Sequence, residues 1–381
     1  MNHRLLKIIA DENMPLVQEL FGHYGNVTLI PGRSIRAEDV IDADVLLVRS
    51  VTVVNQELLQ GSSVKFVGSA TIGIDHVDTK FLSTSGIRFA FSPGCNAKAV
   101  VQYDLSVMSR VVPDWLNKTV GIIGCGNVGG RLYSMLSALD VTCRIYDPFL
   151  SMESSLPLHD FNHVLESDIV CLHTPLTYEG SFPTYHMIDR TAINRLLPDA
   201  LLISAGRGEV VDTAALLEVL RSGRPLSVAL DVWESEPDIC PEILRHVSIG
   251  TPHIAGNSLE GKMNGTTMVF DDFLDWLGVQ EDYAARLSIE PVTMSSPNVN
   301  SVNKAVLASY DVLADDKRMR KALSGLVKNT SQQRDMFDTL RREYPVRREF
   351  GSTIVDTYLQ AERGGLQRDL ALLGFLMSDE Q

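Results

Sequence analysis

The apolar positions of residues 1–110 fall into short runs that are separated by amphipathic stretches. Five runs predict buried strands, namely LLKIIAD, VTLI, DVLLVRS, KFVGSA and IRFAF. The stretches PLVQELFGHY and VNQELLQ between them have the spacing of helices. Because strands that alternate with helices are typical of βαβ units, this segment predicts a parallel sheet.

The same alternation restarts further along the chain and is more regular there. Six more strands are predicted at KTVGIIGCG, VTCRIYD, DIVCLHTP, ALLISAG, LSVALDVW and HVSIG. Helical stretches such as VGGRLYSMLSAL and TAALLEVLRSG separate them. The pattern predicts a second α/β lobe, followed by a long helix in GNSLEGKMNGTTMVFDDFLDWLG that ends at Gly278.

The C-terminal segment differs in composition from the two lobes. The stretch SIEPVTMSSPNVNS is rich in Pro, Ser and Asn, which predicts a linker. Basic stretches follow, then a predicted strand in GSTIVDTYL and a predicted helix in LQRDLALLGFLM. A solvated charged appendage is the alternative to a small α+β domain. The domain is favoured by six apolar residues: Phe337, Tyr344, Phe350, Leu372, Leu373 and Phe375.

Charge and cysteine usage exclude several classes of protein. The 381 residues suit two or three domains, and the net charge of −14 disfavours binding to nucleic acid or to anionic membranes. No apolar run approaches a membrane span, and the first run stops at Asp11 without the core of a signal peptide. Five scattered cysteines without a C-x-x-C motif argue against disulfides and a zinc site, and no metal site is expected. These features favour a reducing, cytoplasmic location.

The stretch VGIIGCGNVGGRLYSML contains Gly124-x-Gly126-x-x-Gly129 between a predicted strand and a predicted helix. The three-glycine motif alone is weak, because glycines often only make turns. In this context the first glycine permits the tight turn, the second lets the backbone approach a pyrophosphate, and the third lets helix and strand pack closely. The stretch predicts a dinucleotide site, with Asn127 and Val128 opening the helix.

Asp147 ends the next predicted strand, 147 − 129 = 18 residues after the third glycine. This spacing is close to the roughly 20 residues expected for an acid that binds the ribose hydroxyls. A carboxylate there repels a 2′-phosphate, so NAD is favoured over NADP. The alternative is a turn residue before Pro148.

Arg207, Glu236 and His253 each follow a different predicted strand of the second lobe. Ligands of open α/β sheets bind beyond the carboxyl ends of strands, so all three are expected near the glycine loop. A histidine can take the hydroxyl proton of a 2-hydroxy acid, a glutamate can orient the imidazole, and an arginine can clamp the carboxylate. A packed core histidine, a surface acid and a solvated turn arginine are the alternatives.

The glycine loop, HTPL, GRGEVVD, DVWESEP and PHIAG occur in this order and resemble the D-isomer-specific 2-hydroxyacid dehydrogenase family. One branch of that family is similar over nearly the whole chain, through IADENMP, PGRSI, VRSVT, GSATIGIDHVD, PGCNAKAVVQY, YDVLADD and LRREYPVRREF. That branch has a C-terminal dimerisation domain, whereas other branches lack it. Asn257 stands where the branch usually has a tyrosine.

The resemblance implies an α/β fold with a Rossmann-type NAD domain, a flavodoxin-like substrate domain and a small α+β dimerisation domain. The expected boundaries are 1–95 with 257–285 for substrate, 96–256 for NAD and 286–381 for dimerisation. The implied activity is NAD-dependent oxidation of a small phosphorylated 2-hydroxy acid by a homodimer. The implied catalytic residues are Arg207, Glu236 and His253. The expected NAD contacts are Gly124, Gly126, Asn127, Val128, Gly129, Asp147, Thr174, Asp231 and Gly256.

Four residues are expected at the substrate: Arg49, Ser50, Thr71 and Asn257. Because the protein is acidic, a substrate with a phosphate and a carboxylate requires local cations. Arg207 is assigned to the carboxylate, which leaves Arg49 and the first lobe for the phosphate. The alternatives are a dehydrogenase of 3-phosphoglycerate or hydroxypyruvate, and a non-catalytic protein that senses NAD.

Overall fold

The computed structural model describes residues 5–151, 155–283, 290–294, 299–325, 330–355 and 364–378. The chain divides into two compact units. The first is Met1–Asn96 with Ser258–Glu290, and the second is Ala97–Asn257 with Pro291–Gln381. The C-terminal segment therefore packs with the second unit, and a separate domain over 286–381 stays a prediction.

The elements of both units are numbered along the chain. The strands are β1 Leu6–Asp11, β2 Gly25–Ile30, β3 Val45–Val48, β4 Phe66–Ser69, β5 Arg88–Phe91, β6 Val120–Ile123, β7 Cys143–Tyr146, β8 Ile169–Leu172, β9 Leu201–Ser204, β10 Ser227–Leu230, β11 Ile249–Gly250, β12 Val292–Met294, β13 Thr353–Val355 and β14 Leu376–Met377. The helices are α1 Val17–Phe21, α2 Ala37–Val40, α3 Gln56–Leu59, α4 Thr79–Thr84, α5 Ala97–Val111, α6 Asn127–Ala138, α7 Phe161–Leu165, α8 Arg190–Arg195, α9 Thr213–Arg221, α10 Pro241–His246, α11 Leu259–Leu277, α12 Val302–Ser309, α13 Val312–Leu323, α14 Ser331–Arg342 and α15 Gly364–Leu372. None of these helices is long and apolar enough to cross a membrane.

The first unit is a parallel sheet in the order β2-β1-β3-β4-β5, which confirms the five predicted strands and the flavodoxin-like topology. Helix α11 packs its aromatic residues against this sheet, with Phe273 lying 5.6 Å from Phe66 between ring centroids. The helix begins where the Ser258 Oγ accepts a hydrogen bond from Gly261 N, and it ends at a left-handed Gly278 as predicted.

The second unit contains a parallel sheet in the order β7-β6-β8-β9-β10-β11, so all six predicted strands are confirmed. Leu158 adds a single parallel bridge to Ile145 on the outer side of β7. If the segment around Leu158 is counted as a strand, it is the third along the chain after β6 and β7. The sheet then has the strand order 3-2-1-4-5-6 of the predicted Rossmann-type fold, followed by β11. The order reverses between β6 and β8, where a dinucleotide-binding crevice is expected.

The tail of the second unit forms a three-stranded parallel sheet, β12-β13-β14. The linker prediction is wrong at Val292–Met294, because these residues pair with β13; residues 284–289 and 295–298 of that region lie outside the described residues. The predicted strand holds for Thr353–Val355, whereas Gly351 and Ser352 form a 3₁₀ turn and residues 356–359 lie outside the described residues. The predicted helix LQRDLALLGFLM stops at Leu372, since Gly374 takes a left-handed φ of 90° and the chain continues as β14.

The tail is a packed structure. Of the six apolar residues that favoured a domain, Phe337, Phe350, Leu373 and Phe375 are buried, whereas Leu372 is 37% exposed. Phe350, Leu373 and Phe375 share one core with residues of α5 and β6. The alternative of a solvated appendage is therefore wrong for these described residues.

Candidate active site

The glycine loop joins β6 to α6 and closes tightly. A Cβ atom on Gly129 would lie 2.0 Å from the carbonyl oxygen of Gly124, so the helix can approach the strand only with glycine there. The space around Gly126 is open by contrast. The predicted roles of close packing for the third glycine and free access for the second both fit this geometry. Asn127 and Val128 are the first residues of α6, whose N-terminus offers N–H groups to an anion.

Two polar groups flank this loop, one after each of the strands β7 and β8 that lie on either side of β6. The Asp147 carboxylate accepts hydrogen bonds from Cys125 N at 2.9 Å and from Phe149 N at 3.1 Å. Thr174 follows β8, and its buried Oγ1 has no hydrogen-bond partner among the described residues. A buried hydroxyl without a partner is costly unless a ligand completes it. Residues at this edge of the sheet therefore fit a dinucleotide.

Glu236 and His253 come together as the sequence predicts. The Nδ1 atom of His253 lies 2.7 Å from Oε2 of Glu236, and Oε1 of Glu236 accepts a hydrogen bond from Trp233 N at 2.8 Å. Both carboxylate oxygens are thus engaged, which holds the carboxylate in one orientation. With Nδ1 directed at Glu236, Nε2 is the nitrogen left to exchange a proton. The His253 side chain is 35% exposed.

The electrostatic environment keeps Glu236 ionised. Burial alone would raise the pKa of this carboxyl group. The charges of His253 and Arg341, together with hydrogen bonds from His253 and Trp233, hold the pKa of Glu236 below its ordinary value. A carboxylate that stays charged can stabilise an imidazolium beside it. Glu234, two residues earlier, instead contacts Nε2 of His186 at 2.8 Å.

Asp231 organises the loop that carries His253. Its Oδ1 accepts hydrogen bonds from Thr251 Oγ1 at 2.6 Å and from Ile254 N at 2.8 Å, and its Oδ2 accepts one from Ala255 N at 2.8 Å. Burial raises the pKa of Asp231 against the opposing charge of His253. A contact of Asp231 with NAD stays a prediction, and the hydrogen bonds above give this carboxylate a role in shaping the His253 loop. Sequence reasoning missed the partner, Thr251, which also contacts the Tyr103 hydroxyl at 3.0 Å.

Arg207 lies in the loop that follows β9, the strand next to β10. Its Nη1 donates a hydrogen bond to the carbonyl oxygen of Gly206 at 2.9 Å. A Cβ atom on Gly208 would lie 2.1 Å from the backbone of Trp233, so the turn after Arg207 packs directly on the loop that leads to Glu236. This close approach requires glycine. It brings the predicted arginine and glutamate onto adjoining loops at one edge of the sheet.

In the first unit, Arg49 is paired with Asp11. Nε and Nη2 of Arg49 donate to the two carboxylate oxygens of Asp11 at 3.1 and 3.3 Å, and Asp11 is fully buried. The predicted phosphate ligand thus already pairs with a carboxylate, and its contact with the substrate stays a prediction. Sequence reasoning missed Asp11, although an acid at the carboxyl end of a buried strand was a usable signal.

The other predicted substrate residues occupy different settings. The Thr71 hydroxyl donates to the carbonyl oxygen of Gly73 at 3.0 Å and contacts Ser69 Oγ at 2.8 Å, which in turn contacts His76 Nε2 at 3.0 Å. Ser50 is exposed in the turn after β3. In the second unit, Gly256 and Asn257 close a turn after β11, in which Asn257 N donates to the carbonyl oxygen of Ile254 at 2.8 Å.

The glycine loop and the His253–Glu236 pair agree with the similarity of this chain to known dehydrogenases. Residues 102–255 match the family described as D-isomer specific 2-hydroxyacid dehydrogenase, NAD binding domain, and residues 286–370 match a domain of unknown function. The chain is 45% identical to erythronate-4-phosphate dehydrogenase of Cellvibrio japonicus, over 97% of this chain and 99% of that protein. It belongs to this family of dehydrogenases. The protein of the same description from Klebsiella pneumoniae is 42% identical over 97% of this chain and 98% of its own length. The chain is thus an oxidoreductase whose second unit contains an NAD-binding domain.

Solved structures support the fold. An NAD⁺-bound 3-phosphoglycerate dehydrogenase from Entamoeba histolytica superimposes with a TM-score of 0.61 at 23% identity, covering 72% of this chain and 96% of the other. A D-lactate dehydrogenase from Aquifex aeolicus gives a TM-score of 0.60 at 22% identity, covering 71% and 96%. Both solved chains are matched almost whole, while more than a quarter of this chain has no counterpart in them.

Proposed function

We propose that the protein oxidises 4-phospho-D-erythronate at C2 to (R)-3-hydroxy-2-oxo-4-phosphobutanoate with NAD⁺, in the biosynthesis of pyridoxal 5′-phosphate. The observation that carries the proposal is the 2.7 Å contact between His253 Nδ1 and Glu236 Oε2, in a chain that is 45% identical to an erythronate-4-phosphate dehydrogenase. A histidine paired with a glutamate in this way can act as the general base that removes the hydroxyl proton when an alcohol is oxidised.

His253 takes the proton of the C2 hydroxyl on Nε2, and Glu236 stabilises the imidazolium that forms. NAD⁺ supplies the acceptor for the hydride that leaves C2. Arg207 binds the substrate carboxylate through its planar guanidinium and polarises the carbonyl of the oxo acid. In the reverse direction His253 returns the proton to the carbonyl oxygen.

The proposed NAD contacts lie around the glycine loop and the strand ends beside it. The α6 N-terminus and the open side of Gly126 suit the pyrophosphate, and Asp147 suits the ribose hydroxyls. The buried Thr174 hydroxyl, which has no partner among the described residues, suits a polar atom of the cofactor. The remaining proposed contacts are Gly124, Asn127, Val128, Gly129, Asp231 and Gly256. For Asp231 we propose a contribution through the loop that it organises.

We propose that Arg49, Ser50 and Thr71 of the first unit bind the phosphate, and that Asn257 contacts the substrate. Asp11 orients the Arg49 guanidinium without using all of its donors, and Arg49 stays 26% exposed. Ser50 is exposed beside it. We also propose a cytoplasmic homodimer that associates through the C-terminal residues 286–381.

Steady-state assays of NADH formation test the substrate directly. The expected result is a much higher kcat/KM for 4-phospho-D-erythronate than for erythronate, 3-phosphoglycerate or hydroxypyruvate (the last assayed in the reducing direction). A preference for 3-phosphoglycerate or hydroxypyruvate would replace the substrate with one of those acids. NAD binding without turnover of any of them would favour a protein that senses NAD.

A further inference from the structure

Arg347 of the tail reaches the loop that carries His253. It is 6% exposed, and its guanidinium lies over the Tyr310 ring, 4.4 Å from the ring centroid. Its Nη2 donates hydrogen bonds to the carbonyl oxygens of Ala99, at 3.3 Å, and Ala255. Ala255 stands two residues after His253, whereas Arg347 is 92 residues further along the chain. All of these residues belong to the second unit.

Ala255 is held on both sides of its backbone. Its N–H donates to Oδ2 of Asp231, and its carbonyl accepts from Arg347. His253 itself has a left-handed φ of 55°, which is strained for a residue with a side chain. Such a conformation persists only where surrounding contacts hold it. Asp231 and Arg347 supply two such contacts at Ala255, two residues after His253.

The Tyr310 ring and the Ala99 carbonyl stabilise only part of the buried Arg347 guanidinium. Nε and Nη1 of Arg347 have no hydrogen-bond partner among the described residues. Buried donors without acceptors destabilise a fold, and a well-packed apolar side chain of similar size avoids that cost. The nearby carboxylate of Asp315 accepts hydrogen bonds from the hydroxyls of Tyr310 and Tyr344 at 2.9 and 2.7 Å. Beyond its contacts with Ala99 and the Tyr310 ring, the guanidinium donates a hydrogen bond to the Ala255 carbonyl, next to the His253 loop.

We propose that Arg347 is a positioning residue for catalysis: through the Ala255 carbonyl it holds the His253 loop so that the imidazole meets Glu236. The tail of this enzyme then takes part in the chemistry in addition to any role in association. The inference rests on the proposed role of His253 as the proton acceptor.

The test uses the full-length variants Arg347→Met and Arg347→Lys, with Arg342→Met as the control. Arg342 lies on the same tail, is 63% exposed, and pairs with its neighbour Glu343. In Arg347→Met we expect kcat per folded molecule to fall on the order of 10- to 100-fold, as small misplacements of catalytic groups do, with the NAD Kd within about 3-fold of the parent. We expect the acidic limb of the pH profile to move towards that of Glu236→Gln. Arg347→Lys keeps a positive charge with N–H donors and is expected to recover part of kcat.

A second readout does not need turnover. The protein contains nine histidines, and His253→Ala assigns the His253 signals in ¹⁵N-histidine NMR spectra. In Arg347→Met the ¹⁵N chemical shift of His253 Nδ1 is expected to move away from the value of a hydrogen-bonded nitrogen. In Arg342→Met this chemical shift is expected to stay at the parental value. A parent-like kcat and pH profile in Arg347→Met, or an unchanged Nδ1 signal, would overturn the proposal. If the parent fails to oxidise 4-phospho-D-erythronate, the proposed function fails, while the NMR result still decides the role of Arg347.

Discussion

Arg49 and Asp11 form a two-pronged ion pair at the carboxyl ends of β3 and β1, with nitrogen–oxygen distances of 3.1 and 3.3 Å. The carboxylate is fully buried, whereas the guanidinium is 26% exposed. The pair lies where the strand order of the first unit reverses, which is the usual ligand position in such a sheet. Arg49 is therefore both a structural partner of Asp11 and the candidate phosphate ligand.

Substitution of Arg49 separates these two roles only if Asp11 is changed as well. Arg49→Ala leaves a buried carboxylate without its partner, which we expect to cost about 3–5 kcal/mol of stability. The double variant Asp11→Asn with Arg49→Met removes both charges and is expected to recover much of this loss in urea denaturation. If Arg49 binds phosphate, the double variant retains a raised KM for 4-phospho-D-erythronate with little change for erythronate. A double variant with parental KM values would make Arg49 purely structural.

The His253–Glu236 pair predicts a specific change in the pH profile. His253→Ala is expected to lower kcat/KM by about 10²- to 10⁴-fold, the usual contribution of general acid–base catalysis, while NAD still binds. Glu236→Gln is expected to lower activity and to shift the acidic limb to lower pH, because the imidazolium loses its counter-charge. An unshifted limb in Glu236→Gln would remove Glu236 from this role. Glu234→Gln, at the acid that contacts His186, is the matched control.

Arg207 is expected to act on the substrate without affecting the cofactor. Arg207→Ala removes the proposed carboxylate clamp, worth roughly 1.5–3 kcal/mol for one charged hydrogen bond, and kcat/KM falls at least correspondingly. NAD affinity, measured by fluorescence titration, is expected to stay near the parental value. An equal loss of NAD affinity would instead indicate that the turn at Gly208 had collapsed.

Asp147 is expected to select NAD over NADP. Asp147→Ala removes a charged acceptor worth roughly 1.5–3 kcal/mol, so the NAD Kd is expected to rise about 10- to 150-fold. Because Asp147 also accepts a hydrogen bond from Cys125 N, Asp147→Asn serves as the control that keeps the shape of the side chain. Equal affinity of the unmutated protein for NAD and NADP would contradict the assignment.

The buried Asp104 is expected to make folding stability depend on pH. It is fully buried, 3.1 Å from His173 Nε2, and burial raises the pKa of Asp104 although His173 opposes that effect. A carboxyl whose pKa is raised on folding contributes stability below the pKa of the unfolded chain, about 3.9, and loses that contribution as pH rises through the folded value. Asp104→Asn is therefore expected to gain stability relative to the parent as pH rises from about 4 to 8. A stability difference between Asp104→Asn and the parent that is the same at every pH in urea denaturation would contradict this.

The tail is expected to be required for folding of the second unit. Phe350, Leu373 and Phe375 share a core with α5 and β6, and Trp115 Nε1 donates a hydrogen bond to Asn303 at 2.7 Å. A chain truncated after residue 290 would expose this apolar surface, so we expect aggregation or loss of a cooperative thermal transition. A soluble 1–290 fragment that binds NAD and forms a dimer would contradict both this expectation and the proposed dimerising role.

Local patterns were sufficient for much of the fold and for the acid–base pair. The strands of the two large sheets are apolar runs between helical stretches. The Gly124–Gly129 turn needs glycine because a side chain at Gly129 would clash with the backbone of Gly124, a residue close by in the sequence. Glu236 and His253 could be brought together because both follow neighbouring parallel strands. By contrast, β12 was missed because three residues in a Pro- and Ser-rich stretch become a strand only when β13 lies beside them.

The partners of the buried charges were decided by the tertiary structure. Asp11 meets Arg49, Asp104 meets His173, and Arg347 meets Ala255 across separations that no periodicity spans. A buried charge is stabilised by whichever group the packing of distant elements brings within hydrogen-bond reach. Local sequence patterns predicted the strands of the two large sheets, the glycine turn and the polar residues at the strand ends. Only the folded chain shows that Arg49 forms an ion pair with Asp11 and that Arg347 of the tail binds the backbone of Ala255 in the His253 loop.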